Sequence, residues 1–371
     1  MKEDVLEQYL KIAKGTLKAR ELLGKTVVSI NEDLLIQEAE SLKIKDRLIT
    51  VGVKNTKQID RLYVKRLIDT EDFIWHTIDG MSDGGRAIDI NLINPITGRV
   101  MTGSSSASAI NVLYGINDLG IGTDGGGSVL APALSLNLFS IMAKGLGLKG
   151  SDEKVSTDNI SFVPGIGVIS HSFKIAKKSI LSMLNIEDKL EINKQIKIAV
   201  CTRKNTILPT KEDMREKLAP IIRKIESLGI EINEENFPDF ENREEAIKRV
   251  KELYKNYSML ITYEGPVDLL GTGDSVFGML GSFAKSLQNQ SGKYMVKIAN
   301  MVNATAITIP SDEVSSGVVI CARDGIEDGL SALKLAEQLK DIYEMPVLYK
   351  NYFEESYRRR KDNIIFSLRG V

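Results

Sequence analysis

The run Gly122-Thr123-Asp124-Gly125-Gly126-Gly127-Ser128 lies downstream of a second short motif, Gly103-Ser104-Ser105, with Ser104 and Ser128 twenty-four positions apart. Three glycines before a serine let the chain take positive φ or crowded conformations that a Cβ would block. Such a turn is able to converge the backbone amides of Gly125, Gly126, Gly127 and Ser128 on one developing oxyanion. Losing a single donor from a hole of that kind typically costs on the order of 100- to 1,000-fold in rate. The two motifs also supply hydroxyls that share a proton path if the fold brings them together.

Outward from this segment the chain reads as alternating strands and helices. Residues 1–45 read as helical, with Val5, Leu6, Tyr9, Leu10 and Ala13 on one stripe. Ile196 to Cys201 reads as a strand, and a helix of about four turns carrying Met214 to Leu228 follows and ends at Gly229. Pro220 inside that stretch kinks the helix or marks its true start. Ile230-Glu231-Ile232 opens the next strand, and a similar strand–helix–strand order is expected near 306–342. This pattern predicts one α/β domain over 1–371, with a central mixed β-sheet and helices on both faces. Its segments are the N-terminal helices (1–45), a signature region (46–175), the remaining sheet (190–345) and a C-terminal tail (346–371). The acidic stretch 233–245 reads as a surface connection. The glycine-rich stretch Gly271 to Gly281 reads either as an ordinary loop or as one that shapes a substrate pocket.

A nucleophilic serine needs a base. The chain has two histidines, His76 in the apolar run Phe73-Ile74-Trp75 and His171 beside Ser170 and Ser172. The first reads as a core residue and the second as a surface-loop residue, so a Ser-His-Asp triad is not the favoured arrangement.

The segment 102–132 resembles the signature of the amidase signature family, Gly-Gly-Ser-Ser-Gly-Gly followed by Gly-x-Asp-x-Gly-Gly-Ser-Ile-Arg-x-Pro, whose two functional serines are also twenty-four apart. Ile49-Thr50-Val51-Gly52-Val53-Lys54-Asn55 looks like the family's Gly-Ile-Pro-x-x-x-Lys-Asp segment. The resemblance extends at lower specificity from residue 1 to about 345, through Asn94-Pro95, Ser161 to Ser172 and Asn300 to Leu339. It implies Lys54, Ser104 and Ser128 as catalytic residues and Gly125, Gly126 and Gly127 as the oxyanion hole, with Ser105 and Asp124 in support. It also implies a cis Gly103–Ser104 peptide, a small-molecule amide substrate, and no cofactor or metal. The site departs from the pattern at Thr102, Ser106-Ala107, Val129-Leu130 and Asn55, and only 50 residues separate Lys54 from Ser104. The chain therefore resembles a shortened, divergent member. An amidohydrolase is the first reading, and a non-catalytic binding protein of the same fold is the alternative.

Composition bounds the rest. Forty-nine Lys plus Arg against fifty Asp plus Glu leave a net charge of −1, which gives no electrostatic case for nucleic acid or an anionic membrane as partner. The basic run Arg358-Arg359-Arg360-Lys361 reads as a solvated helical tail. Cys201 and Cys321 lie far apart in apolar strand-like runs, which fits reduced core thiols in a cytoplasmic protein. No run approaches a membrane span, and no Cys, His or carboxylate spacing suggests a metal. A homodimer is compatible with all of this.

Overall fold

The computed structural model describes residues 3–42, 45, 47–157, 159–188 and 195–355. In chain order the strands are β1 (Val27–Ile30), β2 (Ile49–Lys54), β3 (Phe73–Asp79), β4 (Ile88–Ile93), β5 (Val100–Thr102), β6 (Leu119–Asp124), β7 (Phe139–Ala143) and β8 (Lys154–Val155). There follow β9 (Ser161–Phe162), β10 (Gly165–Ser170), β11 (Lys197–Cys201), β12 (Glu231–Glu235), β13 (Met259–Glu264), β14 (Thr305–Pro310) and β15 (Gly317–Ala322). Eleven of them form one sheet in the order β1-β3-β2-β6-β10-β7-β14-β15-β13-β11-β12, while β4–β5 and β8–β9 are separate hairpins. The sheet is mixed. Parallel pairing joins β3 to β2 to β6 at one end and β13 to β11 to β12 at the other, with antiparallel ladders between.

The principal helices are α1 (Glu3–Glu21), α2 (Leu34–Ser41), α3 (Arg61–Ile68), α4 (Ser106–Leu113), α5 (Leu130–Ser135), α6 (Phe173–Leu184), α7 (Met214–Lys217) and α8 (Ala219–Ser227). They continue with α9 (Arg243–Leu253), α10 (Ser275–Gly278), α11 (Ser282–Asn289) and α12 (Ile326–Leu339). Strand β10 shows how the layers arise. Ile166 and Val168 pack in the large core with Phe173, Ala176 and Ile180 of α6, whereas Ile169 packs with Ile110, Val112 and Leu113 of α4. Successive side chains of a strand point to opposite faces, so α4 and α6 cover the two sides of the sheet. Strands in the middle of the sheet are buried along their whole length, and one such as β15 (Gly317–Ala322) reads as a continuous apolar run rather than an alternating one.

Several expectations change in detail. The segment 1–45 is not all helix, because β1 lies between α1 and α2 and forms one edge of the sheet. The long helix over 214–228 is two pieces, α7 and α8, with Pro220 in the first turn of α8, where its missing N–H has no intrahelical partner to lose. Near 306–342 the order is strand, strand, helix, with β14 and β15 antiparallel, so the two parallel pairs in this half of the sheet come from β11 with β12 and β11 with β13. The acidic stretch 233–245 begins as edge strand β12 and buries Phe237 and Phe240. Cys201 and Cys321 are buried and unpaired. The run Arg358 to Lys361 lies outside the described residues. Among the described residues, no helix is long and apolar enough to cross a membrane.

Candidate active site

Two adjacent strand ends carry the site. On β2, Ile49, Val51 and Val53 face the large core, so alternation turns Lys54 to the α4 side of the sheet. Beside it, β6 presents Gly120 and Gly122 to α4. A Cβ on Gly120 would fall 3.0 Å from Ser108 Cβ, and one on Gly122 would fall 2.4 Å from Ser105 Oγ. Glycine is what lets the first turns of α4, and the serines before them, lie flat on the strand.

The result is a tight buried cluster. Lys54 Nζ lies 2.6 Å from Ser104 Oγ, 3.1 Å from Thr123 Oγ1 and 3.3 Å from Ser105 Oγ. The Gly103–Ser104 peptide is cis. Lys54 is 2 % exposed and Ser104 5 %. Burial disfavours the ammonium form and lowers the Lys54 pKa to about 7. The nearby Asp124 charge raises it, and Lys154 adds to the lowering. A lysine in that range is partly neutral at physiological pH and able to accept a proton.

Beyond β6 the glycine turn leads into α5. Gly127 takes φ +102°, a conformation that favours glycine. The Asp124 carboxylate sits inside the turn and accepts the amides of Gly127 (2.7 Å), Val129 (2.7 Å) and Leu130 (3.2 Å). Burial raises its pKa, and those three amides together with Lys54 oppose the rise. The expectation for Gly127 changes here: its N–H is committed to Asp124 and is not offered to a ligand. The amides of Gly125, Gly126 and Ser128 have no partner among the described residues.

Ser128 and Ser104 line one cavity of about 820 Å³, together with Lys54, Gly125 and Gly126. The two serine motifs are joined through the backbone, Ser105 N–H donating to Ser128 C=O at 3.0 Å. No hydrogen bond links the Ser104 and Ser128 hydroxyls among the described residues, so the direct proton path expected between the two motifs is not closed by a contact here. Gly271 to Gly281 is not a plain loop. It contains α10, and Gly273, Asp274, Ser275 and Val276 form part of the cavity wall.

Neither histidine lines this cavity. His76 is buried, with Nδ1 3.0 Å from both Ile116 O and Asn117 Oδ1 and Nε2 3.2 Å from Thr16 Oγ1; burial lowers its pKa to about 4. His171 follows the end of β10. Among the described residues no cluster of His, Cys, Asp and Glu is arranged to hold a metal ion.

Sequence reasoning did not single out Thr123, the third hydroxyl on Lys54, although its place inside the glycine-rich run was a signal. Arg86 and Asp274 were also missed. They form an ion pair across the cavity wall (Nη2 to Oδ2, 2.7 Å) from positions 188 apart in sequence, and nothing local in the sequence announces such a contact.

No protein-family model matches the chain, and no curated protein sequence matches it either. Among solved structures it is similar to an amidase (TM-score 0.62, 14% identity, 92% of this chain and 96% of that one). It is similar to 6-aminohexanoate cyclic dimer hydrolase complexed with substrate (0.61, 13%, 93% and 95%). It is also similar to the allophanate hydrolase of Kluyveromyces lactis (0.59, 15%, 89% and 70%). The chain shares the fold of these proteins over nearly its whole length.

Proposed function

We propose that this protein is a divergent member of the amidase signature family, an amidohydrolase that cleaves a carboxamide or peptide-like C–N bond through an acyl-enzyme on Ser128. The observation that carries this reading is the buried Lys54, 2.6 Å from Ser104 and held near neutrality, in the cavity that Ser128 also lines. Neutral Lys54 takes the Ser104 proton as Ser104 takes that of Ser128, and Ser128 attacks the amide carbon. The oxyanion meets the unpartnered amides of Gly125, Gly126 and Ser128. The proton returns through Ser104 to the departing nitrogen, and water hydrolyses the ester. The substrate is a small-molecule amide, and a cavity of about 820 Å³ leaves room for one considerably larger than urea.

The test is covalent labelling by a fluorophosphonate, with the modified residue mapped. Ser128 is expected to carry the label, and Ser128→Ala is expected to fold normally and to lose both labelling and amide hydrolysis. A second reading, binding without hydrolysis, is favoured by the absent Ser104–Ser128 hydrogen bond. Catalytic hydrogen bonds often tighten only when substrate is bound, and the labelling experiment separates the two. Wild-type protein that resists the probe and hydrolyses no amide decides for the binding reading, whereas a Ser128→Ala variant with full activity refutes Ser128 as the nucleophile.

A further inference from the structure

The cavity wall built by residues 268–289 is fastened at two points to the backbone around Ser104, once to β5 at Thr102 and once to the 82–87 turn at Arg86. The first is buried. Asp268 accepts the Thr102 hydroxyl (2.8 Å) and the Gly273 amide (2.7 Å), and Lys293 pairs with it at 2.6 Å. The second is at the rim. The half-buried Arg86 places Nε 2.9 Å and Nη2 2.7 Å from Asp274 Oδ2, while Asp274 Oδ1 accepts the Val276 and Phe277 amides and caps α10. Thr157, in the turn between β8 and β9, adds a hydroxyl contact of 2.5 Å to Ser275 on the same short helix.

Arg86 also touches the chemistry-bearing backbone from the other side. Its carbonyl accepts the Ser82 hydroxyl at 2.7 Å, Ser82 N–H donates to Ser104 C=O at 3.3 Å, and Gly103 N–H donates to Ala87 C=O at 2.9 Å. A Cβ on Gly103 would lie 2.6 Å from the Arg86 carbonyl oxygen, so that carbonyl rests directly on the Gly103–Ser104 unit. One residue thus supports Ser104 through its main chain and grips the α10 wall through its side chain.

From this juxtaposition we infer that Arg86 is a positioning residue for the proposed reaction: its clamp on Asp274 makes the seating of α10 and the seating of Ser104 against Lys54 a single arrangement. The inference rests on the reading of Ser128 as nucleophile. Loosening the clamp lets the 82–87 turn and Ser104 drift from Lys54, and misplacement by about 1 Å at such a contact is able to cost on the order of 100-fold in rate. The guanidinium matters because it meets the carboxylate with two N–H groups at once, which an ammonium group does not reproduce.

The experiment measures the labelling of Ser128 by a small alkyl fluorophosphonate, resolved into the saturating rate and the apparent affinity, with labelled sites counted by mass. A small probe does not lean on α10, so lost wall contacts leave the rate alone. Arg86→Met is expected to lower the saturating rate by about tenfold or more with the affinity little changed, and Arg86→Lys to recover part of it. Asp274→Asn, which keeps an oxygen to cap α10, is expected to match Arg86→Met. The double variant is expected to be no slower than either single one, because residues acting as a unit are not additive. If the variants only reduce the number of labelled sites, while the surviving sites react at the wild-type rate, the role is structural and the inference is overturned. It is equally overturned by fully additive losses. Wild-type protein that does not label at all refutes the proposed nucleophile, a result distinguishable from both.

Discussion

At Lys54 the demands of folding and of chemistry oppose each other. A lysine whose folded pKa has dropped from 10.5 to about 7 is destabilising. Below pH 7 it is charged in a buried site, and between pH 7 and 10.5 the unfolded chain binds the proton more tightly than the folded one. Stability contributed by this site therefore rises with pH across that window. Lys54→Met is expected to raise the melting temperature at pH 6–7, by an amount equivalent to a few kcal/mol at most, and the gain is expected to shrink toward pH 10. In the wild type, hydrolysis and probe labelling are expected to increase with pH through about 7 and then plateau. The two neighbours that tune Lys54 act with opposite sign, which separates this explanation from a generic pH effect. Asp124→Asn keeps an acceptor for the Gly127 amide but removes the negative charge, so the midpoint is expected to fall. Lys154→Ala removes a positive charge on the cavity rim, so the midpoint is expected to rise. Midpoints that move together, or a flat profile with chemistry rate-limiting, would contradict a lysine base.

The relation between β6 and α4 converts these residue properties into geometry. Gly122 sits directly beneath Ser105, the residue just before α4, and a methyl group there would overlap its hydroxyl. Gly122→Ala is expected to push the first turn of α4 off the sheet, at a cost of about 1–3 kcal/mol. Because Ser104 immediately precedes that turn, the labelling rate is expected to fall by a larger factor than the stability change explains. Unchanged stability together with unchanged labelling, by thermal melts and timed labelling, would sink this account of how the serines are set. Elements of this kind were legible in the sequence wherever local rules decide them. The helix stop at Gly229 and the break at Pro220 follow from glycine and proline placement. The fate of the Gly127 amide was not legible. It depends on which way the Asp124 carboxylate points inside the turn, and no spacing rule fixes that. Strand β1 escaped notice because its four residues, Val27–Ile30, bury only Val27 fully and are held by pairing with β3 rather than by their own pattern.

For the molecule as a whole, the N-terminal segment is wired into the half of the sheet that carries the site. Thr16 meets His76, Lys11 pairs with Asp118, and Asp118 in turn binds the amide and hydroxyl of Thr50 on β2. Glu38 on α2 lies in the same packing layer, fully buried, with neither carboxylate oxygen partnered among the described residues. Burial raises its pKa to about 8, against the lowering influence of Lys11. This is the mirror image of Lys54. A carboxyl group with a raised folded pKa costs nothing below its unfolded value near 4.5. Its cost grows as pH rises toward 8 and is then complete. Glu38→Gln, which keeps the shape and removes the ionisation, is expected to leave stability unchanged near pH 4.5 and to raise it increasingly up to pH 8–9. Lys54→Met is expected to show the reverse trend, greatest below pH 7 and fading above it. Thermal unfolding of the wild type and both variants at half-unit steps from pH 5 to 10 compares the two slopes directly. Two difference curves with the same sign of slope would mean that at least one of these buried charges is not paying the desolvation penalty the structure assigns to it.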